Sequence, residues 1–263
     1  MRTFVIVACL LVALAASNVR ASDLAAASFV KGILEQVKAK PEACSDKPEG
    51  TGPGTIWTCG RVTSDFETFS TGIDQAIPKI EGLATPAKPL TGWITQKTSR
   101  MRWYSVGDKW VVITYDGTTR KVLTSYPKDR DGVYNLVKGV VPPKRVLEEI
   151  PPGEKVREAR GGLKPGAEGS VVVSAIVRKD GTVSEAEVLG CVPRFMGLEQ
   201  AALRAIKKWR YDPGTKEDAV VDVAMTATFS YGSGGSYRAV EGKDYKQLGQ
   251  PSSPSQPTGS RPE

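Results

Sequence analysis

The sequence predicts an α+β protein, in which an N-terminal α+β unit with an antiparallel meander precedes a smaller unit of strand hairpin, helix and strand. Three observations predict it. Short runs of β-branched and aromatic residues between Gly92 and Tyr126 are joined by hairpin residues, Gly107-Asp108-Lys109 and Asp116-Gly117-Thr118. Stripes of apolar residues at spacings of three and four precede that meander and recur at Leu198–Trp209. A final run from Val221 alternates apolar and polar residues, as a half-buried strand does.

The chain starts with Met1-Arg2, an apolar run from Phe4 to Ala16, and Val19-Arg20-Ala21 before Ser22. A charged start, a short apolar stretch and small residues before a cut form a secretory signal peptide, residues 1–21, cleaved after Ala21. Spanning a bilayer takes about 20 apolar residues, so the run predicts release into the periplasm without stable membrane insertion after cleavage. Of the 263 residues, about 240 then remain, a length that suits two small domains.

The formal charge of +7 is scattered along the chain and reads as solubility, with no basic stripe for nucleic acid. Histidine is absent, which removes Ser-His-Asp triads, Cys-His dyads and every His-containing metal site. No pair of carboxylates stands out for glycosidase chemistry, no cofactor motif is present, and the expectation is a binding protein, not an enzyme. Beyond the signal three cysteines remain, Cys44, Cys59 and Cys191, which allow three pairings in an oxidising compartment. Cys44 and Cys59 flank the flexible loop Lys47-Pro48-Glu49-Gly50-Thr51-Gly52-Pro53-Gly54 and are the favoured pair, leaving Cys191 as a small buried hydrophobe.

In the first unit, residues 23–135, Asp23 to Lys38 reads as a helix with Leu24, Ala27, Val30, Ile33, Leu34 and Val37 on one face and Phe29 flanking it. Thr55 to Val62 reads as a strand. Ser64-Asp65-Phe66-Glu67 reads as a capping box opening a helix that stops near Ile77-Pro78. The runs 92–96, 100–106, 110–115 and 120–126 form the meander, with helices over one sheet face. Trp57, Trp93, Trp103 and Trp110 read as core and cross-strand packing in preference to a ligand platform.

Residues 136–168, with Val141-Pro142-Pro143, Pro151-Pro152-Gly153 and Gly161-Gly162, read as a linker or irregular entry. The core of the second unit is 169–231, or 141–231 with its lead-in. Gly169 to Arg178 and Val183 to Gly190 are hairpin partners across Lys179-Asp180-Gly181-Thr182, read as a type I′ turn. Leu198, Ala202, Ala205, Ile206 and Trp209 share a helix face, which makes Trp209 a core anchor. Val221, Val223, Met225, Ala227, Phe229 and Tyr231 then line one face of the last strand. The tail 232–263, rich in Gly, Ser and Pro, reads as disordered.

Gly169-Ser170-Val171-Val172-Val173 with Lys179-Asp180-Gly181-Thr182-Val183, then Leu198-Glu199-Gln200-Ala201-Ala202-Leu203, then Lys208-Trp209-Arg210-Tyr211-Asp212-Pro213, then the alternating strand, resemble the C-terminal domain family of TonB in sequence order. The resemblance covers residues 141–231. It departs from the family where Pro142-Pro143 and Ile150-Pro151-Pro152 replace a Tyr-Pro motif, and where a cleavable-looking signal and a folded unit replace a membrane anchor and a Pro-rich spacer. The resemblance implies a periplasmic adaptor that binds an outer-membrane receptor or another envelope protein by strand addition. The edge would be the last strand, at Val220, Asp222, Ala224, Thr226, Thr228 and Ser230, the alternative being that the Gly/Ser tail covers this edge or that it pairs with a second copy. The other reading is a soluble envelope protein whose first unit binds a ligand, the TonB-like fold serving as a structural or dimerisation module.

Overall fold

A computed structural model describes residues 21–81, 83–146, 168–194, 196–232 and 237–241. The signal-peptide reading, apart from Ala21, lies outside them. In chain order the N-terminal elements are α1 (Ala21–Gln36), β1 (Lys40–Glu42), β2 (Thr55–Arg61), α2 (Phe66–Ala76) with a 3-10 turn at Ile77–Lys79, β3 (Lys88–Pro89), β4 (Ile94–Gln96), β5 (Ser99–Val106), β6 (Lys109–Asp116) and β7 (Lys121–Pro127). Then follow β8 (Val133–Tyr134), β9 (Val140–Val141), β10 (Lys144–Val146), β11 (Gly169–Val177), β12 (Val183–Val192), α3 (Leu198–Lys208), β13 (Arg210–Asp212), β14 (Thr215–Lys216), β15 (Ala219–Val220), β16 (Asp222–Tyr231) and β17 (Tyr237–Glu241).

The first sheet runs β1-β2-β7-β6-β5-β3 with β4 also on β5, and its β5–β6–β7 meander is the predicted one. Its turns have local causes. Gly107, at φ +61°, takes the left-handed conformation that glycine adopts without a Cβ penalty. The Asp116 carboxylate accepts from the amides of Thr118 and Thr119 at 2.9 and 2.8 Å. α2 is capped by Asp65, whose carboxylate accepts from Thr68 N at 2.9 Å, one residue later than the Ser64 box suggests.

α1 starts and ends two residues earlier than the pattern predicts, and its buried face is Ala26, Phe29, Val30 and Ile33, while Leu24 is 56% exposed. Phe29 turns the stripe towards itself because its ring fits against Tyr104, 5.4 Å between centroids, and a buried aromatic contributes more apolar area than Leu24 or Ala27 would. The start of the helix is held by a buried polar cluster. Lys109 Nζ reaches Asp23 Oδ1 at 2.7 Å, Asp129 Oδ1 at 2.9 Å and the Pro127 carbonyl at 2.6 Å. Ser22 Oγ donates to Asp129, and Asn135 Nδ2 does so at 2.8 Å.

The second sheet runs β12-β11-β16-β17. α3 covers one face, over Val171, Val173, Ala175, Val177, Met225, Ala227, Phe229 and Tyr231. The β11–β12 turn corrects one expectation: of its residues Arg178 to Gly181, Gly181 alone has positive φ, +77°, and its amide donates to Arg178 O at 2.9 Å. That is a tight turn followed by a left-handed glycine, whereas a type I′ turn needs positive φ at both central residues.

The two sheets pack face to face. Leu90, Met101, Trp103 and Val112 of the first contact Val172, Leu189 and Val192 of the second, with Ile94 and Trp110 at the margin. β12 crosses closest, because Gly190 presents no side chain: a Cβ there would lie 2.6 Å from Val112 Cγ1 and 2.9 Å from Met101 Sδ. The result is four layers, α1 and α2, sheet, sheet, α3.

Two expectations about organisation change. The segment 136–168, read as linker, contains β9 and β10, which pair with β14 and β13, and β8 runs parallel to the start of β16. Its residues 147–167 lie outside the described ones. The tail, read as disordered throughout, supplies β17. Tyr237-Arg238-Ala239-Val240 is a short β-prone run that the Gly, Ser and Pro around it hide in a composition average; residues 233–236 and 242–263 lie outside the described ones.

Candidate partner-binding edge

β16 owes its position to alternation: the odd-numbered residues from Val223 to Tyr231 are buried, all but Val223 in the core under α3. The even-numbered side chains lie on the opposite face, where Thr228 is fully buried and Thr226 is 9% exposed. Along its inner side β16 pairs with β11 over nine residues, from Val223 opposite Val177 to Tyr231 opposite Gly169.

The outer side is expected either to be open to a partner or to be covered by the tail or a second copy, and part of it is covered by the tail. β17 pairs antiparallel with Ala227–Tyr231, and β8 pairs with Asp222 and Val223. The main chain between these two covers spans Ala224, Met225 and Thr226. The backbone groups that a visiting strand would use at Thr228 and Ser230 are therefore engaged by the chain itself, which removes the exposure hazard of a bare edge.

The six predicted edge residues separate into different roles. Val220 belongs to β15, opposite Thr215, and is 43% exposed. Asp222 is committed to the hairpin turn, accepting from Arg178 Nη1 at 2.8 Å and Lys179 N at 2.9 Å. That hydrogen bond holds the Arg178 guanidinium above its usual range. Ser230 Oγ lies 3.4 Å from Ser170 Oγ on the neighbouring strand. Thr228 is paired with Val240 of β17, and Ala224 and Thr226 are the ones the structure leaves on the border itself. What the sequence reasoning missed is that the tail forms the strand β17, and the short β-prone run Tyr237-Arg238-Ala239-Val240 is the signal that could have found it.

Trp209 is the first residue past α3, 8% exposed, with its ring stacked on Phe229 at 5.1 Å and the Arg145 guanidinium 4.4 Å above it. It anchors the core, as expected. Trp103 and Trp110 stack at 6.5 Å within the sheet-to-sheet seam, and Trp93 packs edge-on to Phe66 at 5.2 Å. Trp57 is half-buried on β2.

Cys44 and Cys59 form the predicted disulfide. Cys191 is fully buried and its thiol donates to Pro193 O at 3.2 Å. Burial, together with the neighbouring Glu199, pushes that thiol well above its ordinary pKa, so it is an unreactive packing residue. Among the described residues no helix is long and apolar enough to cross a membrane, and no group of His, Cys, Asp and Glu could hold a metal ion.

Compared with known families, residues 163–232 match the model for the Gram-negative bacterial TonB protein C-terminal. The match includes β11, β12, α3 and β16 and ends before β17. No curated protein matches the chain.

Proposed function

We propose, from the premise that residues 163–232 carry a TonB C-terminal domain, that this chain is a periplasmic adaptor capturing an extended segment of an outer-membrane receptor or another envelope protein. The observation that carries the reading is the border of β16: it is held by a strand only five residues long, β17, which follows Gly232-Ser233-Gly234-Gly235. A partner strand has two ways in. It adds to the outer side of β17, against which no described strand pairs, or it replaces β17 on β16. The role is binding without catalysis, in keeping with a chain that has no histidine.

A specific observation favours a second reading. The face of the second sheet opposite α3 is buried against the first sheet through Val172, Leu189 and Val192, which suits a structural module that completes the fold of its neighbour.

Photo-crosslinking separates the two. A crosslinking residue is placed at Ser230 on β16, at Ser184 on β12 and at Thr71 on α2 of the full chain, and each is irradiated with a detergent-solubilised outer-membrane fraction. The adaptor reading expects a discrete adduct with an outer-membrane protein from Ser230 and none from Thr71. Adducts from Thr71 alone support the structural-module reading, and no adduct from any position counts against the adaptor.

A further inference from the structure

We propose that the loop closed by Cys44 and Cys59 is a redox-held strap over the outer border of β12, so that reducing this disulfide opens a second strand edge on the C-terminal sheet.

The second sheet has two borders. One is β17; the other is β12, along whose outer side no described strand pairs. The N-terminal unit covers it. Gly50 O accepts from Val188 N at 3.0 Å, a single strand-like bond from outside the sheet. Beside it, Glu187 accepts from Gly54 N at 3.0 Å and Thr55 Oγ at 2.7 Å. Arg130 bridges from the first unit to Glu187 at 3.2 Å and to Glu185 at 2.7 Å. At the other end of the loop the Arg194 guanidinium donates to Asp46 O, and the Asp46 carboxylate pairs with Lys121 at 2.5 Å.

The fit is close enough that side chains are excluded. A Cβ on Gly50 would stand 2.3 Å from Leu203 Cδ1, and one on Gly52 would stand 2.5 Å from Glu187 Oε1. Gly50 also has φ +76°, which a side chain disfavours. The loop therefore lies flat across the border and reaches α3, sealing the margin of the core where Val188 and Leu203 meet. It contains no helix or strand of its own between Ala43 and Gly54, so its position depends on those contacts and on the disulfide that shortens it. Opening that closure returns conformational freedom to the loop, which is then held by the contacts above and by the β1–β2 ladder, where Glu42 lies opposite Cys59.

The disulfide is placed for exchange. Cys59 is 8% exposed on β2, whereas Cys44 is only partly buried on the loop. A thiolate of a dithiol reductant attacks Cys44 Sγ, the Cys44–Cys59 bond breaks, and Cys59 leaves as a thiolate that takes up a proton. The second thiol of the reductant then attacks the mixed disulfide and releases Cys44. Two electrons and two protons pass from the dithiol, which ends as a disulfide, to the two cysteines.

Hydrogen exchange on the full chain tests this, oxidised and after reduction by dithiothreitol under native conditions. Protection of the Val188 amide is expected to fall about tenfold or more on reduction, while Val173 and Ile113, inside the two sheets, keep theirs. Unchanged protection at Val188, or loss at all three positions together, overturns the proposal. Gly50→Val with the disulfide intact is the second arm: it displaces the strap sterically and should deprotect Val188 without reductant. If Val188 stays protected in that variant, the loop does not cover the edge.

Discussion

At the residue scale, polar groups taken out of water define the costliest positions. Burial pushes the Asp129 carboxyl up, but hydrogen bonds from Ser22, Lys109 and Asn135 and the Lys109 charge outweigh it, and the group titrates below its ordinary range. A lowered folded-state value contributes stability that is present above the unfolded value of about 3.9 and is lost as pH falls through the folded one. The urea midpoint should therefore decline as pH drops below about 4, and Asp129→Asn should flatten that acid limb while lowering the midpoint at neutral pH. An unchanged pH profile in the variant would remove this role. Trp209→Ala should destabilise the full chain by about 3 to 5 kcal/mol in urea unfolding, since it leaves a cavity against Phe229 and strips the ring from under Arg145. A change under about 1 kcal/mol would mean that the site collapses around the loss.

At the element scale, the disulfide and the hairpins were legible because their causes are local. Cys44 and Cys59 are separated by 15 positions, and a closed loop of that size contributes about 3 kcal/mol in the chain-entropy model. Cys44→Ser with Cys59→Ser should lower unfolding free energy by about that amount; a loss near zero would show that residual structure or strain offsets the closure. The meander, the capping of α2 and the alternation of β16 were read for the same reason: each follows from residues near in sequence. Pairing partners were not. Nothing in Asp222–Tyr231 announces that Tyr237–Glu241 will lie beside it, because strand pairing is decided by three-dimensional neighbours. Leu24 misled for a related reason, since α1's buried face is chosen by what Phe29 meets on β5.

For the whole molecule, the continuous runs Val111-Val112-Ile113 and Val171-Val172-Val173 carry the overlooked information. A strand with one wet face alternates; a strand apolar at successive positions is covered on both sides. In this chain one side of each run meets helices and the other meets the opposite sheet. The four-layer stack is thus written in these two runs, each apolar on the side that meets helices and on the side that meets the opposite sheet. It predicts that the wild-type chain unfolds in one transition seen equally by near-ultraviolet and far-ultraviolet dichroism. Gly190→Leu drives a side chain into Val112 and Met101 and should split that transition in two. A single transition persisting in the variant would mean that the seam does not couple the halves.

The parallel pairing of β8 with β16 bears on how the protein can be cut up. The chain crosses from one half to the other before the proline-rich stretch that reads as a boundary, so the gene and the globule divide at different places. A fragment of residues 169–231 loses Val133–Tyr134, Val140–Val141 and Lys144–Val146, and so takes one strand partner each from β13, β14 and the first residues of β16. A fragment ending at residue 135 carries away a strand that belongs to the other side. An expressible C-terminal piece has to begin before Val133, and one that begins at Gly169 should be recovered from the insoluble fraction while the longer piece stays in solution.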